Sequence, residues 1–247
     1  MTLQGIIRRV LFTVLPTDRR LRDVDVRLRM RMQGRAPDTL SGWAAAADMD
    51  TETARRSLNR LMEFGWADRI AKDGPGRQLI GPCMPIAVEA VVAERLQLVR
   101  LSVARVGEWL MMCWLDLLAA SDDIIDNSRP GWLRSPGSSA RFELDREYPS
   151  ARVAFEFQGS QHLVIGGPYA HTQEEYAKQV DRDNIKAGIC VRNRYRLIEI
   201  TKEDLTLDRM ISKVQGVLPI AYYLKGGPIE AALSDMSRAY ISYTPPN

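Results

Sequence analysis

Apolar positions in the first third of the chain recur at helical spacing. In residues 3–15 they fall at Leu3, Ile6, Ile7, Val10, Leu11 and Val14, which predicts an amphipathic helix closed by Pro16. Residues 18–33 fit two periods: Val24, Val26, Leu28, Met30 and Met32 alternate as in a strand, whereas Leu21, Val24, Leu28 and Met32 fit a helix. The helix-forming Arg, Leu and Met residues and a start at Thr17 and Asp18 favour the helix, with Arg27, Arg29 and Arg31 as a basic cluster. A short helix over residues 40–47 and a turn at Asp48-Met49-Asp50 precede a second helix over 51–64, capped by Asp50 or Thr51. That helix has a buried stripe of Ala54, Leu58, Leu61 and Met62 and stops at Gly65. Two strands, 66–70 and 77–80, flank Asp73-Gly74-Pro75-Gly76. Residues 86–120 hold almost no helix breaker and predict one long helix or two in succession, with Trp109, Met112, Cys113 and Leu117 as a core stripe. Pro130, Gly131, Pro136 and Gly137 make residues 121–140 a loop.

The period then shifts to two. Phe142 and Leu144 face one way, Glu143 and Asp145 the other; after a turn at Tyr148-Pro149-Ser150, Val153, Phe155 and Phe157 alternate with Ala154, Glu156 and Gln158. The hairpin therefore folds Asp145 back towards Glu156. Residues 163–165 predict a third strand. Thr172 and Glu175 have the spacing of a capping box and open a helix reaching about residue 193, followed by a strand over 195–200 and a helix ending near Gly216. The strand–helix–strand crossover makes the last strand parallel to its neighbour. A further helix spans 228–239. The fold class is α+β: a mixed sheet flanked by helices follows an N-terminal helical unit.

Composition narrows the class only a little. The chain has 247 residues, 45% hydrophobic and 26% charged, which suits a soluble globular protein. The net charge of +3 permits a polyanionic partner without demanding one. Cys83, Cys113 and Cys190 form no Cys-x-x-Cys pair and are odd in number, so a reducing, cytoplasmic setting is expected rather than a disulfide framework or a zinc site. Arg8 and Arg9 interrupt the first apolar run, which argues against a signal peptide, and no long uncharged stretch predicts a membrane span.

Two resemblances add chemistry. Residues 18–82, with Arg55, Arg56, Asn59 and Arg60 on the second helix and Arg77 at a basic strand tip, resemble the winged helix-turn-helix family. That likeness implies double-stranded DNA as partner, with the second helix in a major groove and the wing along the backbone. Residues 106–207, through FELDREYP, VAFEFQGSQH and QVDRDNIKAGICVRNRYRLIEIT, resemble the PD-(D/E)XK, or restriction-endonuclease-like, nuclease superfamily. The likeness is to its compact branch, similar to very-short-patch repair endonucleases and transposon-type cleavage subunits. It implies a Mg²⁺-dependent endonuclease, Mn²⁺ substituting, with Asp145 and Glu156 as the motif's acids, Glu108 as the acid on the preceding helix, and the Phe157 carbonyl as a further metal ligand. The sequence departs from the family at the position of the usual lysine, which is Gln158. Lys186 is then the candidate for the missing cation, and His162 for contacting water or phosphate. Gln158 also fits a DNA-binding regulator whose nuclease-like domain is inactive, and the chain equally fits a nuclease subunit of a larger complex or a homodimer. The resulting division is residues 1–84 as winged helix, 85–104 as connecting helix, 105–225 as nuclease-like domain and 226–247 as C-terminal helix and tail.

Overall fold

A computed structural model of the chain describes residues 1–73, 77–121, 123–136, 140–159, 173–220 and 226–243. The N-terminal stripe forms α1 (Leu3–Val14), whose Leu3, Ile6, Ile7, Val10 and Leu11 are buried. Pro16 then sits in a single 3₁₀ turn, Leu15–Thr17. The next helix, α2 (Asp23–Met32), starts later than the sequence predicts. The delay has a local cause. The Asp18 carboxylate accepts from the Arg20 backbone and guanidinium and from Trp66 Nε1, so it holds a turn instead of capping a helix. The expected basic cluster is also divided: Arg27 and Arg31 are exposed, but Arg29 is buried and donates to the Cys83 carbonyl and Gln33 Oε1.

Helices α3 (Leu40–Ala46) and α4 (Thr51–Glu63) begin on side-chain caps, Thr39 Oγ1 accepting from Gly42 N and Asp50 from Thr53 N. Gly65 ends this unit in the left-handed region, φ +75°, where a side chain would be strained. Strands β1 (Ala67–Asp73) and β2 (Arg77–Pro82) pair antiparallel, with the register shifting between Arg69 and Ala71. Asp38 makes an isolated antiparallel bridge to Ile80, so a third short segment borders β2.

The long apolar segment is two helices, α5 (Ile86–Arg100) and α6 (Val106–Leu118). The first does more than connect: it packs on α1 and on α9 (Pro228–Ser242), and its Glu89 accepts from Ile229 N at 3.1 Å. Every residue of α6 from Trp109 to Leu118 is buried, not a stripe alone, because α1, α8 (Leu207–Val214), α9 and the sheet enclose it.

The main sheet has four strands in the order β3 (Ile125–Ser128), β4 (Leu144–Tyr148), β5 (Val153–Gln158) and β6 (Arg196–Thr201). The first two junctions are antiparallel and β5–β6 is parallel, as a crossover through α7 (Gln173–Arg192) requires. Strand β3 lies inside the span expected to be loop. It is short, polar at Asp126, Asn127 and Ser128, and takes a positive φ at Asn127, so it carries no usable period. The third strand expected at 163–165 falls outside the described residues. A small apolar cluster of Leu133, Phe142, Leu144, Ala154, Ile189 and Cys190 seats α7 on the sheet.

Candidate functional site

The ladder between β4 and β5 runs from Tyr148↔Val153 through Glu147↔Ala154 to Arg146↔Phe155. The next step in that register brings Asp145 opposite Glu156, and there the backbone pairing ends. The Phe157 amide donates instead to Asp145 Oδ2, at 2.8 Å. The acid that the sequence places on the hairpin thus occupies the point where the strands part, and its hydrogen bond fixes it against the neighbouring strand.

Two helices bring further charges. Lys186, on α7, forms an ion pair with Glu156 in which both side chains are largely shielded from water. Glu108, in the first turn of α6, is held by Arg105 at 3.3 Å. Burial pushes the Glu156 carboxyl up to about 7, with Asp145 and Asp183 adding repulsion and Lys186 opposing it. Asp145 is raised by burial and by Glu143, against the Phe157 amide and Lys186. Glu108 is raised by burial and next by Asp145. Asp145 therefore raises the proton affinity of both Glu156 and Glu108 in poorly hydrated surroundings, the electrostatic condition in which a bound cation gains most.

Gly107 sets how closely these elements meet. A Cβ there would overlap the Phe157 ring, so only glycine lets the first turn of α6, with Glu108 beside it, abut the strand that carries Glu156. The sequence offered no signal for this beyond a glycine inside a helical run. Arg146 was missed as well. It is buried beside Asp145 in the chain, paired with Asp116 at 2.6 Å and Asp126 at 2.7 Å, and it donates to the Met112 carbonyl at 2.9 Å. Its bonds tie β4 to α6 and to β3.

Among the other expected residues, Gln158 is half-buried at the end of β5, in register with Thr201. Phe157 packs its ring near Tyr240, at 6.3 Å between centroids. His162 lies outside the described residues. On α4, Arg55 and Arg56 are exposed and both pair with Glu52, and Asn59 is exposed. Arg60 departs from the expected DNA-facing set: it turns to the fully buried Asp25 at 2.7 Å and joins α4 to α2. Arg77 opens β2 opposite Asp73. A cleft of about 420 Å³ between α4 and β1–β2 is lined by Arg55, Asn59, Arg69 and Gln78 above Leu58 and Ile80.

Among the described residues no three Cys, His, Asp or Glu side chains form a ready metal-binding group. In kind the residues fit magnesium, a hard ion satisfied by one or two carboxylates with waters and substrate oxygens completing its shell. Asp145 and Glu156 supply that number.

No family model and no solved structure matches the chain. It is similar to an uncharacterized protein, 033L, of Invertebrate iridescent virus 3, 30% identical over 73 residues, which cover 30% of this chain and 38% of the relative. It is also similar to an uncharacterized protein, 307L, of Invertebrate iridescent virus 6, 28% identical over 80 residues, which cover 30% of this chain and 41% of the relative. The matched region spans less than half the length of either viral protein.

Proposed function

We propose that the chain is a metal-dependent DNA endonuclease that hydrolyses phosphodiester bonds, helped in binding double-stranded DNA by a winged helix near its N-terminus. The observation that carries this reading is the Lys186–Glu156 pair beside Asp145 where β4 and β5 part. A lysine on α7 stands at the acidic pair from which the sequence motif lacks one at Gln158.

In this reading Asp145 and Glu156 hold Mg²⁺ or Mn²⁺, with Glu108 and the Phe157 carbonyl as further oxygen donors. When bound, the ion lowers the pKa of a coordinated water and offsets charge on the scissile phosphate. With Glu156 engaged as an oxygen donor, Lys186 would be free to hold a phosphate oxygen or the attacking water. Gln158 brings no charge, but its amide both donates and accepts, so it orients a water or a phosphate oxygen. The winged-helix part is supported by the order α2, the Asp38 bridge, α3, α4, β1 and β2, with exposed Arg55, Arg56 and Asn59 along one helix.

A second reading, a DNA-binding regulator with an inactive nuclease-like domain, is favoured by Gln158 and by a Lys186 already occupied with Glu156. One cleavage assay separates the two. Purified protein with Mg²⁺ or Mn²⁺ is offered linear, supercoiled, mismatched, branched and single-stranded DNA. The endonuclease reading expects cutting of at least one form, lost in Lys186→Ala and kept in Lys178→Ala, whose lysine is exposed and pairs with Glu174. Binding without cutting of any form, with no stabilisation by either metal, establishes the regulator.

A further inference from the structure

Residues 133–135 and 140–142, between β3 and β4, form a small antiparallel ladder of their own. Phe142 N donates to the Leu133 carbonyl at 2.9 Å, Ser135 N to the Ala140 carbonyl at 3.0 Å, and Arg134 bridges Arg141. Directly opposed residues on an antiparallel pair place their side chains on the same face, and like charges so placed destabilise it. Both guanidinium groups are exposed, and both are anchored to backbone rather than to acid: Arg134 Nε donates to the Gly131 carbonyl at 3.0 Å and Arg141 Nη1 reaches the Arg129 carbonyl at 3.5 Å. Among the described residues no carboxylate pairs with either. The nearby one, Glu143, is taken by Arg129 at 2.7 Å.

The ladder is fixed at its base and adjoins the acidic site. Leu133 and Phe142 are buried in the cluster under α7, and Arg182 of α7 lies over the Phe142 ring at 5.5 Å, adding a third exposed guanidinium. Glu143 follows directly on β4's approach, and its charge acts on both Asp145 and Glu108. A cationic pair anchored at its base, with no carboxylate partner among the described residues and with acidic groups nearby, is an arrangement that an anion with several acceptor oxygens completes. Guanidinium forks match phosphate oxygens two at a time.

We propose that Arg134 and Arg141, with Arg182, form a clamp for the phosphodiester backbone that lays a DNA strand across the carboxylate site. The clamp rests on the endonuclease reading for its position relative to chemistry, but it makes its own prediction about binding. Binding of a short DNA duplex to the full-length protein is followed by fluorescence anisotropy in EDTA, where no metal-dependent cutting occurs, over a range of salt. Each lost phosphate contact flattens the log–log salt slope by about 0.9 and weakens binding about tenfold near 0.1 M salt. The R134Q/R141Q variant is therefore expected to show a slope flatter by about 1.8, with an unfolding midpoint no lower than wild type because the repulsion is gone. R182Q is expected to flatten it by about 0.9. An unchanged slope and affinity in R134Q/R141Q would overturn the clamp, and so would equal competition by poly-glutamate, which lacks phosphate. The two readings fail separately: a flattened slope with no cutting by wild type in Mg²⁺ or Mn²⁺ removes the endonuclease and keeps the clamp. Wild-type cutting with unchanged binding by the variant does the reverse.

Discussion

Two buried cation–carboxylate groups lie one step apart on the β4–β5 ladder, Arg146 pairing with Phe155 beside Glu156, and they are built to opposite ends. Arg146 is shared among several acceptors: its guanidinium reaches Asp116, Asp126 and the Met112 carbonyl, and Asp116 in turn accepts from the Gln4 backbone N–H at 2.8 Å. Lys186 and Glu156 form a single pair in which the carboxyl still sits near 7, so burial outweighs what one ammonium returns. The first group uses four of its five guanidinium N–H donors and holds β4, α6 and α1 together. The second is held in a strained protonation balance that a second cation would relieve. Removing one member of a complete buried charge network strands the others at a cost, whereas an incomplete network leaves a charge that a further ion can satisfy.

The sharpest way to break this contrast is at Arg146. Arg146→Met leaves Asp116 and Asp126 without their partner and is expected to cost about 3–5 kcal/mol in urea unfolding at neutral pH, the usual penalty for stranding a buried partner. A loss under about 1 kcal/mol would show that the network is not what secures β4.

Glu156→Gln acts in the other direction. The folded carboxyl titrates near 7 and the unfolded one near 4.5, so the native state binds the proton more tightly. Its contribution is therefore fully present below about 4.5 and is lost as pH rises through about 7. Between pH 4.5 and pH 8 in EDTA, wild type should therefore lose up to about 3 kcal/mol of stability relative to the variant, on top of a pH-independent offset from the unpaired Lys186, while cleavage, on the endonuclease reading, is abolished. Parallel pH–stability curves for the two proteins would contradict this.

The smallest effects compare neighbours on α4. Arg60→Ala exposes the unpaired Asp25 and is expected to lose about 1–3 kcal/mol of stability. Arg55→Ala should stay within about 0.5 kcal/mol of wild type, because its pair with Glu52 is exposed, yet it should weaken DNA binding. Thermal unfolding with duplex binding on the same samples reads both.

What the sequence made legible follows from which interactions are local. Asp145 and Glu156 were placed by a period of two and a turn within twelve residues, and the described pairing carries them to adjacent positions. The parallel β5–β6 junction follows from an intervening helix, a rule of connection rather than of side chains. Lys186 came from likeness to a family and not from any pattern in the chain. Arg146 was out of reach because its partner Asp116 lies thirty residues away on a helix whose sequence looks uniformly apolar. The same holds for Arg60 with Asp25 and for Arg29 with the Cys83 carbonyl: an arginine that caps a distant element looks, residue by residue, like a solvated charge. Strand β3 was hidden for the reverse reason. An edge strand of four mostly exposed residues has no apolar face to alternate.

Helix α6 also sets an order of events. Its first cover, α1, emerges early in synthesis, and Gln4 reaches Asp116 across 112 residues. Its last cover is α9, where Ser237 Oγ accepts from Trp114 Nε1 at 2.9 Å. On the ribosome this helix therefore waits, half-sheltered, until α9 has been made, Ser237 lying 123 residues beyond Trp114. The strands bearing Asp145 and Glu156 then acquire a firm floor only as α9 docks, so the carboxylates converge after α1 and α9 have both packed on α6.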